Sequence, residues 1–341
     1  MTSQRPVPTL QDVATEAGVS TATVSRAINF PDQVADATRR KVNAAIAELG
    51  YSPNFGARVM AARRTNTIGA IIPTMENAIF ARGLQAFQEE LRRNGFTMLV
   101  ASTAYQPANE EEQIRSLVAR GADALLLIGY HRDPAVYAFL DAQDVPVLLT
   151  WAFDPDADRP SVGFDNRAAM QEMAAEVIAL GHCRLAFISA ATAQNDRAAA
   201  RRDGIKGAMT AAGLDSDDLQ FVETTYGIDE GAKAFEEVMA LTPRPTAVFC
   251  GNDVLAVGAL RRARELGIAI PDDVSIIGFD DIELAQVVYP ALTTVHVPHS
   301  EMGRRAGQAL AQRLRDGVPL KPIQLLTRPV FRGTLAPPKG E

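Results

Sequence analysis

Apolar residues recur at helical spacing three times within the first fifty positions of the chain. In TLQDVATEAGVSTATVSRAIN, residues 9–29, Leu10, Val13, Ala14 and Ala17 share one face of a first helix, and Val24 and Ile28 share one face of a second. Thr9 is placed to cap the first helix, and Asp12 stands in its first turn near the positive end of the dipole. Gly18 follows directly, where a residue with positive φ ends a helix, and Val19 plugs the space before Ser20 caps the second. A third stripe of Val42, Ala45, Ile46 and Leu49 runs through DATRRKVNAAIAEL up to Gly50. Three short amphipathic helices of this kind make a minimal core.

From residue 67 the period changes. The runs TIGAIIP, FTMLVAS, ADALLLIG and VPVLLT read as buried parallel strands, separated by helical patterns such as FARGLQAFQEELRRNG and NEEEQIRSLVARG. A second round begins near Ser161, with strands RLAFISA, QFVETT, TAVFCG and VSIIGFD and helices at 166–180, 197–212, 229–240 and 252–266. Met170, Met173, Ala174, Val177 and Ile178 give the packing stripe of the first of these helices. The pattern therefore predicts an N-terminal all-α helix-turn-helix headpiece followed by an α/β body of two doubly wound, parallel-sheet lobes.

The outward face of the second helix carries Thr21, Ala22, Ser25 and Arg26. Three short side chains let a helix backbone approach base edges closely, while Arg26 has the reach and the paired donors to grip a guanine. Thr23 and Asn29 stand where phosphates are held. Taken alone, the same pattern also fits an ordinary helical hairpin. Beyond the third helix, Pro53 stops regular structure and Asn54 is placed to cap a short helix running to about Arg63.

Charge adds to the contrast between the two parts. Residues 1–64 hold eight Lys and Arg against five Asp and Glu, a net of +3, whereas the whole chain is −7, which leaves −10 for the body. A phosphate partner belongs to the head. With 341 residues, 47% of them apolar and 22% charged, the chain has the material for two or three cores and is not a disordered protein. The segment MTSQRPVPTLQDV has no apolar signal core and no window approaches eighteen consecutive apolar residues, so a cytoplasmic protein without a membrane span is expected. Cys183 and Cys250 lack metal-ligand spacing and read as buried, reduced core thiols. His131, His296 and His299 show no spacing for zinc or a triad, and His182 in ALGH reads as a satisfied turn histidine. The run Glu110–Glu112 suits a helix start and reads as a solvated face, and GTLAPPKGE reads as a loose tail.

The motifs, taken in order, resemble one family throughout. TLQDVATEAGVSTATVSRAIN, TRRKVNAAIAELGYSPN, RRTNTIG, GFDN, ALGH, CGNDVLAVGALRRARELGIAIPDDVSIIGFDDIELA and PALTTVHVP are similar to the lactose and purine repressor family (LacI/GalR type), over nearly all of the chain. Several stretches are similar to gluconate-type regulators within it. The resemblance implies a headpiece over 1–52, a hinge over 53–66 and an effector-binding and dimerisation body over 67–341. The chain would cross between lobes near 161, 290 and 322, giving an N-lobe of 67–161 and 291–321 and a C-lobe of 162–290 and 322–341. It implies a homodimer on a near-palindromic operator, with Thr21, Ala22, Thr23, Ser25, Arg26, Asn29 and Thr38 facing DNA. Met60 stands where relatives carry a leucine wedge for the minor groove. Ala35 replaces the serine that often caps the third helix, leaving Asp36 or Asp32 to compensate, or no cap at all.

For the body, the resemblance implies a small-molecule effector between the lobes, at the carboxyl ends of the strands. Ile79 and Phe80 follow the first strand where relatives place apolar contacts, although Phe80 also fits plain helix packing. Tyr130 follows ADALLLIG as a second wall, and Trp151, the sole tryptophan, either stacks on a sugar ring or anchors the fold. Arg201 matches an arginine that holds the ligand in relatives, and Tyr226, Asn252 and Asp280 match other contact positions. Arg197, Arg201 and Arg202 near one helix start form a seat for an anion, which favours a sugar acid over a neutral sugar; the alternative is that one or two of them, Arg202 first, point to solvent. The expected function is a repressor of a carbohydrate or sugar-acid operon, released by its ligand, without metal, cofactor or catalysis. Two rivals fit less well. A nucleotide-dependent enzyme lacks its glycine fingerprint and nucleophile, and a transport-type sugar-binding protein lacks a signal segment and would not need a basic head.

Overall fold

The computed structural model describes residues 7–52, 64–76 and 78–339, without the side chain of Asn29. The chain divides into a unit ending at Thr65 and a unit beginning at Asn66. In the first, helices α1 (Leu10–Ala17), α2 (Thr21–Asn29) and α3 (Asp36–Leu49) form as the pattern predicts. Thr9 and Asp12 make a reciprocal capping box, the Thr9 amide donating to Asp12 Oδ2 at 2.8 Å and the Asp12 amide to Thr9 Oγ1 at 3.3 Å. Those hydrogen bonds hold the Asp12 carboxyl below its ordinary range. Gly18 ends α1 at φ 66°, a left-handed conformation that a side chain would strain. Ala35 makes no side-chain cap for α3, and Asp36 pairs instead with Arg39 at 2.8 Å; the missing cap costs about 1 kcal/mol relative to serine. The core of this unit is small: Val13, Ala14, Val24, Ala27, Val42 and Ala45 are buried.

The second unit alternates strand and helix. Its first lobe contains β1 (Thr67–Ile72), α4 (Ala78–Arg93), β2 (Thr97–Ser102), α5 (Pro107–Ala119), β3 (Ala124–Ile128), α6 (Pro134–Ala142), β4 (Val147–Thr150) and β5 (Ser161–Gly163). The second lobe follows with α7 (Asn166–Ala179), β6 (Leu185–Ser189), α8 (Asp196–Ala211), β7 (Gln220–Glu223), α9 (Ile228–Met239), β8 (Ala247–Cys250), α10 (Asp253–Glu265), β9 (Ser275–Ile277) and α11 (Glu283–Val287). Then come β10 (Thr294–His296), α12 (His299–Asp316), β11 (Ile323–Gln324) and β12 (Arg328–Val330). One parallel sheet has the order β11-β5-β4-β3-β1-β2 and the other β7-β6-β8-β9, with β10 and β12 paired antiparallel. Strands β3, β4, β6 and β8 are buried along their whole length, because helices cover both faces of each sheet. Met170, Met173, Ala174 and Val177 bury the inner face of α7 as expected.

Close to the expected crossings near 161, 290 and 322, backbone pairing continues on the same sheet for a few residues. Residues 161–163 still pair with β4, and β11 pairs with β5, so both remain in the first sheet. Residues 293–296 bridge to Ile277 and Asp280, so they remain with the second lobe, and the chain leaves it only after His296. Backbone pairing continues past the expected boundaries because each strand end still has a partner on its own sheet. Three expectations are corrected. Cys183 is exposed, since it lies in the turn before β6 rather than in the strand, while Cys250 is buried. Glu110 is no solvated acid but the partner of the buried Arg132 at 3.0 Å. The C-terminal segment is tied down as far as Lys339: Thr334 is fully buried, donates its hydroxyl to the Ile276 carbonyl at 2.6 Å and accepts the Thr293 amide at 2.9 Å.

Candidate functional site

In the first unit the face expected to read DNA is built by the helix that Ser20 starts. Ser20 Oγ accepts the Thr23 amide at 3.1 Å and contacts the Thr23 hydroxyl at 2.9 Å, so Thr23 serves the cap in this structure. Val24 and Ala27 turn into the core, which leaves Ala22 and Arg26 exposed and Thr21 and Ser25 half-buried along the opposite edge. Thr38 lies half-buried in the first turn of α3, with Arg40 and Lys41 exposed beside it. The Asn29 side chain and Met60 lie outside the described residues. An exposed arginine among short side chains matches what close approach to a base edge requires.

In the second unit a different chemistry gathers between the lobes. Arg201, on α8, is only 6% exposed: Nε donates to Asn166 Oδ1 at 2.9 Å, Nη1 donates to the Gly251 carbonyl, and the guanidinium lies 3.9 Å over the Phe279 ring. Among the described residues no carboxylate stands within ion-pair distance of it. Asp280, 1% exposed, follows that ring, and its Oδ1 meets His299 Nε2 of the first lobe at 3.3 Å. Asp280 has φ 107° and Asp281 φ 55°, a strained turn held from below by Asp253. The Asp253 carboxylate accepts the Ile282 amide at 2.9 Å and the Thr294 hydroxyl at 2.6 Å, and burial raises its pKa well above the ordinary value, with Asp280 adding to the rise.

Tyr105, on the loop after β2, completes this cluster, and the sequence reading missed it. Its ring lies 5.6 Å from that of Tyr226. Burial pushes the Tyr105 phenol up, Tyr226 and Asp280 push it the same way, and Arg197 and Arg201 oppose them, so these five side chains share one field. His299 was read only as a histidine without partner spacing; the contact with Asp280 brings it into the site. Neither carried a local signal, because each meets its partners across the lobes.

The remaining candidates are placed differently. Ile79 and Phe80 are buried in the core of the first lobe, where Phe80 packs on Trp151 with centroids 5.2 Å apart. Trp151 has φ 60°, lies against Gly83, where an added Cβ would stand 2.6 Å from the indole, and its Nε1 has no acceptor among the described residues. Tyr130 turns its hydroxyl to Ser161 at 2.7 Å, while its amide donates to Asp196 Oδ2 at 2.6 Å across the lobes. Asn252 caps α10, accepting the Leu255 amide at 2.9 Å. Of the three arginines expected to seat an anion, Arg197 pairs with Asp196 at 2.9 Å and Arg202 turns to Thr192 and Asp203, whereas Arg201 has neutral partners. A cavity of about 460 Å³ opens at the carboxyl ends of β1, β2 and β3, and of the expected effector residues it contains Arg197 alone.

A helix-turn-helix unit joined to a two-lobed body with a buried polar cleft defines a ligand-responsive DNA-binding regulator. Comparisons with known proteins agree. Residues 9–54 match the model for bacterial regulatory proteins of the lacI family, and residues 174–335 match a periplasmic binding protein-like domain. The chain is 34% identical to the HTH-type transcriptional repressor PurR of Vibrio atlanticus, over 90% of this chain and 92% of that one. It is 33% identical to the HTH-type transcriptional regulator GntR of Escherichia coli, over 92% and 94%. A solved LacI-family regulator from Silicibacter pomeroyi superposes with a TM-score of 0.86 at 30% identity, covering 96% of this chain and 99% of that one. The chain belongs to the LacI family of bacterial transcriptional regulators, and it is a DNA-binding protein governed by a small-molecule effector. The purine- and gluconate-named relatives match almost equally, so they do not separate the subgroup.

Proposed function

We propose that the protein is a cytoplasmic repressor of a carbohydrate or sugar-acid operon, and that an anionic sugar derivative binding between the lobes releases it from DNA. The observation that carries the anionic reading is Arg201, a buried cation whose direct partners, the Asn166 amide oxygen, the Gly251 carbonyl and the Phe279 ring, are all neutral. A ligand carboxylate supplies the direct ion pair that Arg201 lacks, through a charge-assisted contact. Asp280 beside it suits sugar hydroxyls, accepting two at once. Arg197, Tyr226, Asn252, Tyr130, Trp151, Ile79 and Phe80 are proposed to frame that ligand once it displaces the present contacts.

The reading includes a homodimer that sets two recognition helices on a near-palindromic operator, with Thr21, Ala22, Ser25 and Arg26 toward the bases and Thr23, Asn29 and Thr38 toward phosphates. Met60 is proposed as the minor-groove wedge, methionine being apolar but more costly to immobilise than leucine. Val287 and Tyr289, 74% and 86% exposed beside Pro290, offer apolar surface for a second copy. Regulation rather than catalysis is the activity proposed for the chain. A thermal-shift panel tests the effector class by comparing gluconate-like acids with their neutral sugars. A larger response to the acids is expected, and equal responses would remove the anionic reading.

A further inference from the structure

One buried side chain stands between Arg201 and the first lobe. Asn166 is the first residue of α7, just past strand β5, which still pairs on the first sheet. Its amide is used in both directions: Oδ1 accepts Arg201 Nε at 2.9 Å, and Nδ2 donates to the Trp151 carbonyl at 2.9 Å and, more weakly, to the Phe164 carbonyl at 3.5 Å. Trp151 follows β4 at φ 60°, a left-handed conformation that strains a bulky residue and needs its surroundings to hold it. Its indole lies against Phe80 and Gly83 of α4 and faces His299 of α12, and α4 and α12 pack on each other. A shift of the Trp151 peptide therefore reaches both helices.

The donors of Arg201 decide what an anion does on arrival. Nη1 is held by the Gly251 carbonyl and Nε by Asn166, while Nη2 bonds none of the described residues. A carboxylate gripped by two parallel hydrogen bonds needs Nη2 and one neighbour, either Nη1 end-on or Nε side-on. Nη1 is tied to backbone at the end of β8, whereas Asn166 offers a side-chain amide that can rotate away. The side-on grip therefore disturbs less, and it takes Nε from Asn166 Oδ1. The buried amide oxygen, left without its donor, has to turn toward another, and in turning it withdraws Nδ2 from the Trp151 carbonyl. We propose that Asn166 is a positioning residue that couples the effector cleft to the first lobe: an anion on Arg201 opens the Arg201–Asn166–Trp151 bridge, and the opened bridge favours the state that releases DNA. This rests on Arg201 as the residue that holds the anion.

The test compares full-length wild type with Asn166→Ala and with Asn166→Ser, whose hydroxyl reaches at most one of the two partners, by operator mobility shift with and without saturating gluconate. The ratio of the two operator affinities is the coupling factor, and at saturation it does not depend on how tightly gluconate binds. It is expected to fall about fivefold or more in both variants. A second readout needs no ligand: acrylamide quenching of Trp151, the sole tryptophan. Quenching is expected to rise in Asn166→Ala and in Arg201→Gln and no further in the double variant, because both substitutions cut one bridge. Operator binding shows that the variants fold, and Asn166→Ser decides the matter if Asn166→Ala does not. Two outcomes overturn the proposal: a coupling factor that both variants leave unchanged, which would make Asn166 a support for Arg201 alone, or quenching changes that add in the double variant. Where gluconate leaves wild-type operator binding untouched, the anionic reading fails by itself, and the quenching cycle decides the bridge.

Discussion

Helix α2 turns Ala22 and Arg26 out to solvent, whereas the body draws Arg201 and Asp280 in until they are 6% and 1% exposed. Exposed charge is screened and weak until a partner arrives, which suits a surface that must find phosphate and bases and let go again. Buried charge is strong and expensive, which suits a cleft that must tell one small molecule from another. The two cores differ in the same sense: small residues fill the first, while Phe187, Phe235, Phe249 and Phe279 are fully buried in the second. Discrimination by the body therefore rests on rigidity, and reading by the head rests on surface.

The comparison breaks most visibly where the body loses its packing. Phe249→Ala, at the centre of the four-stranded sheet, is expected to cost about 3–5 kcal/mol in urea unfolding followed by fluorescence of Trp151. A loss below 1 kcal/mol, on the scale of a surface change, would contradict the packed-core account. Arg201→Gln comes next: the response to an acidic ligand falls by about tenfold to a hundredfold in calorimetry, the range of a hydrogen bond to a charged group, while operator affinity without ligand holds. Arg26→Ala is expected to cost about 1–3 kcal/mol of operator binding and to relax the choice of base at one position, measured on a set of single-base operator variants. Unchanged base preference would move the reading face elsewhere on α2.

Much of this was legible locally and much was not. Thr9, Gly18, Ser20 and Gly50 marked helix ends correctly, because caps depend on residues within one turn of themselves. Strands β1 to β4 and β6 to β9 were readable as apolar runs with the helices between them. Tyr105 and His299 were not, since their meaning lies in Tyr226 and Asp280 on the other lobe. The C-terminal segment read as a tail because Gly333, Thr334 and Pro337 look like a loop, yet Thr334 lies 58 residues from the Ile276 carbonyl that fixes it. The partners of the three arginines were not legible either: Asp196 pairs with Arg197 and Thr192 holds Arg202, while Arg201 keeps neutral partners.

The smallest expected effect sharpens the contrast through pH. His182 is buried, its Nε2 donates to the Ala336 carbonyl and its Nδ1 meets the Thr246 hydroxyl, each at 2.9 Å, and burial lowers its pKa from 6.5. The folded state resists a proton that the unfolded chain accepts. Its contribution is therefore complete above pH 6.5 and lost progressively as pH falls below it. The Tm of the body is expected to fall between about pH 7.5 and 5.5, and His182→Gln to flatten that slope. A slope unchanged in the variant would assign the pH dependence to other groups.

The most direct test of a head that reads and a body that decides is a mobility-shift titration. It uses the full chain, the DNA upstream of its own gene, and gluconate-like acids beside their neutral sugars. Specific binding that an acid weakens in the wild type, that persists in Arg201→Gln whatever acid is added, and that Arg26→Ala reduces without ligand is the result predicted. Specific binding that responds to no acid, or that responds equally in Arg201→Gln, would contradict it.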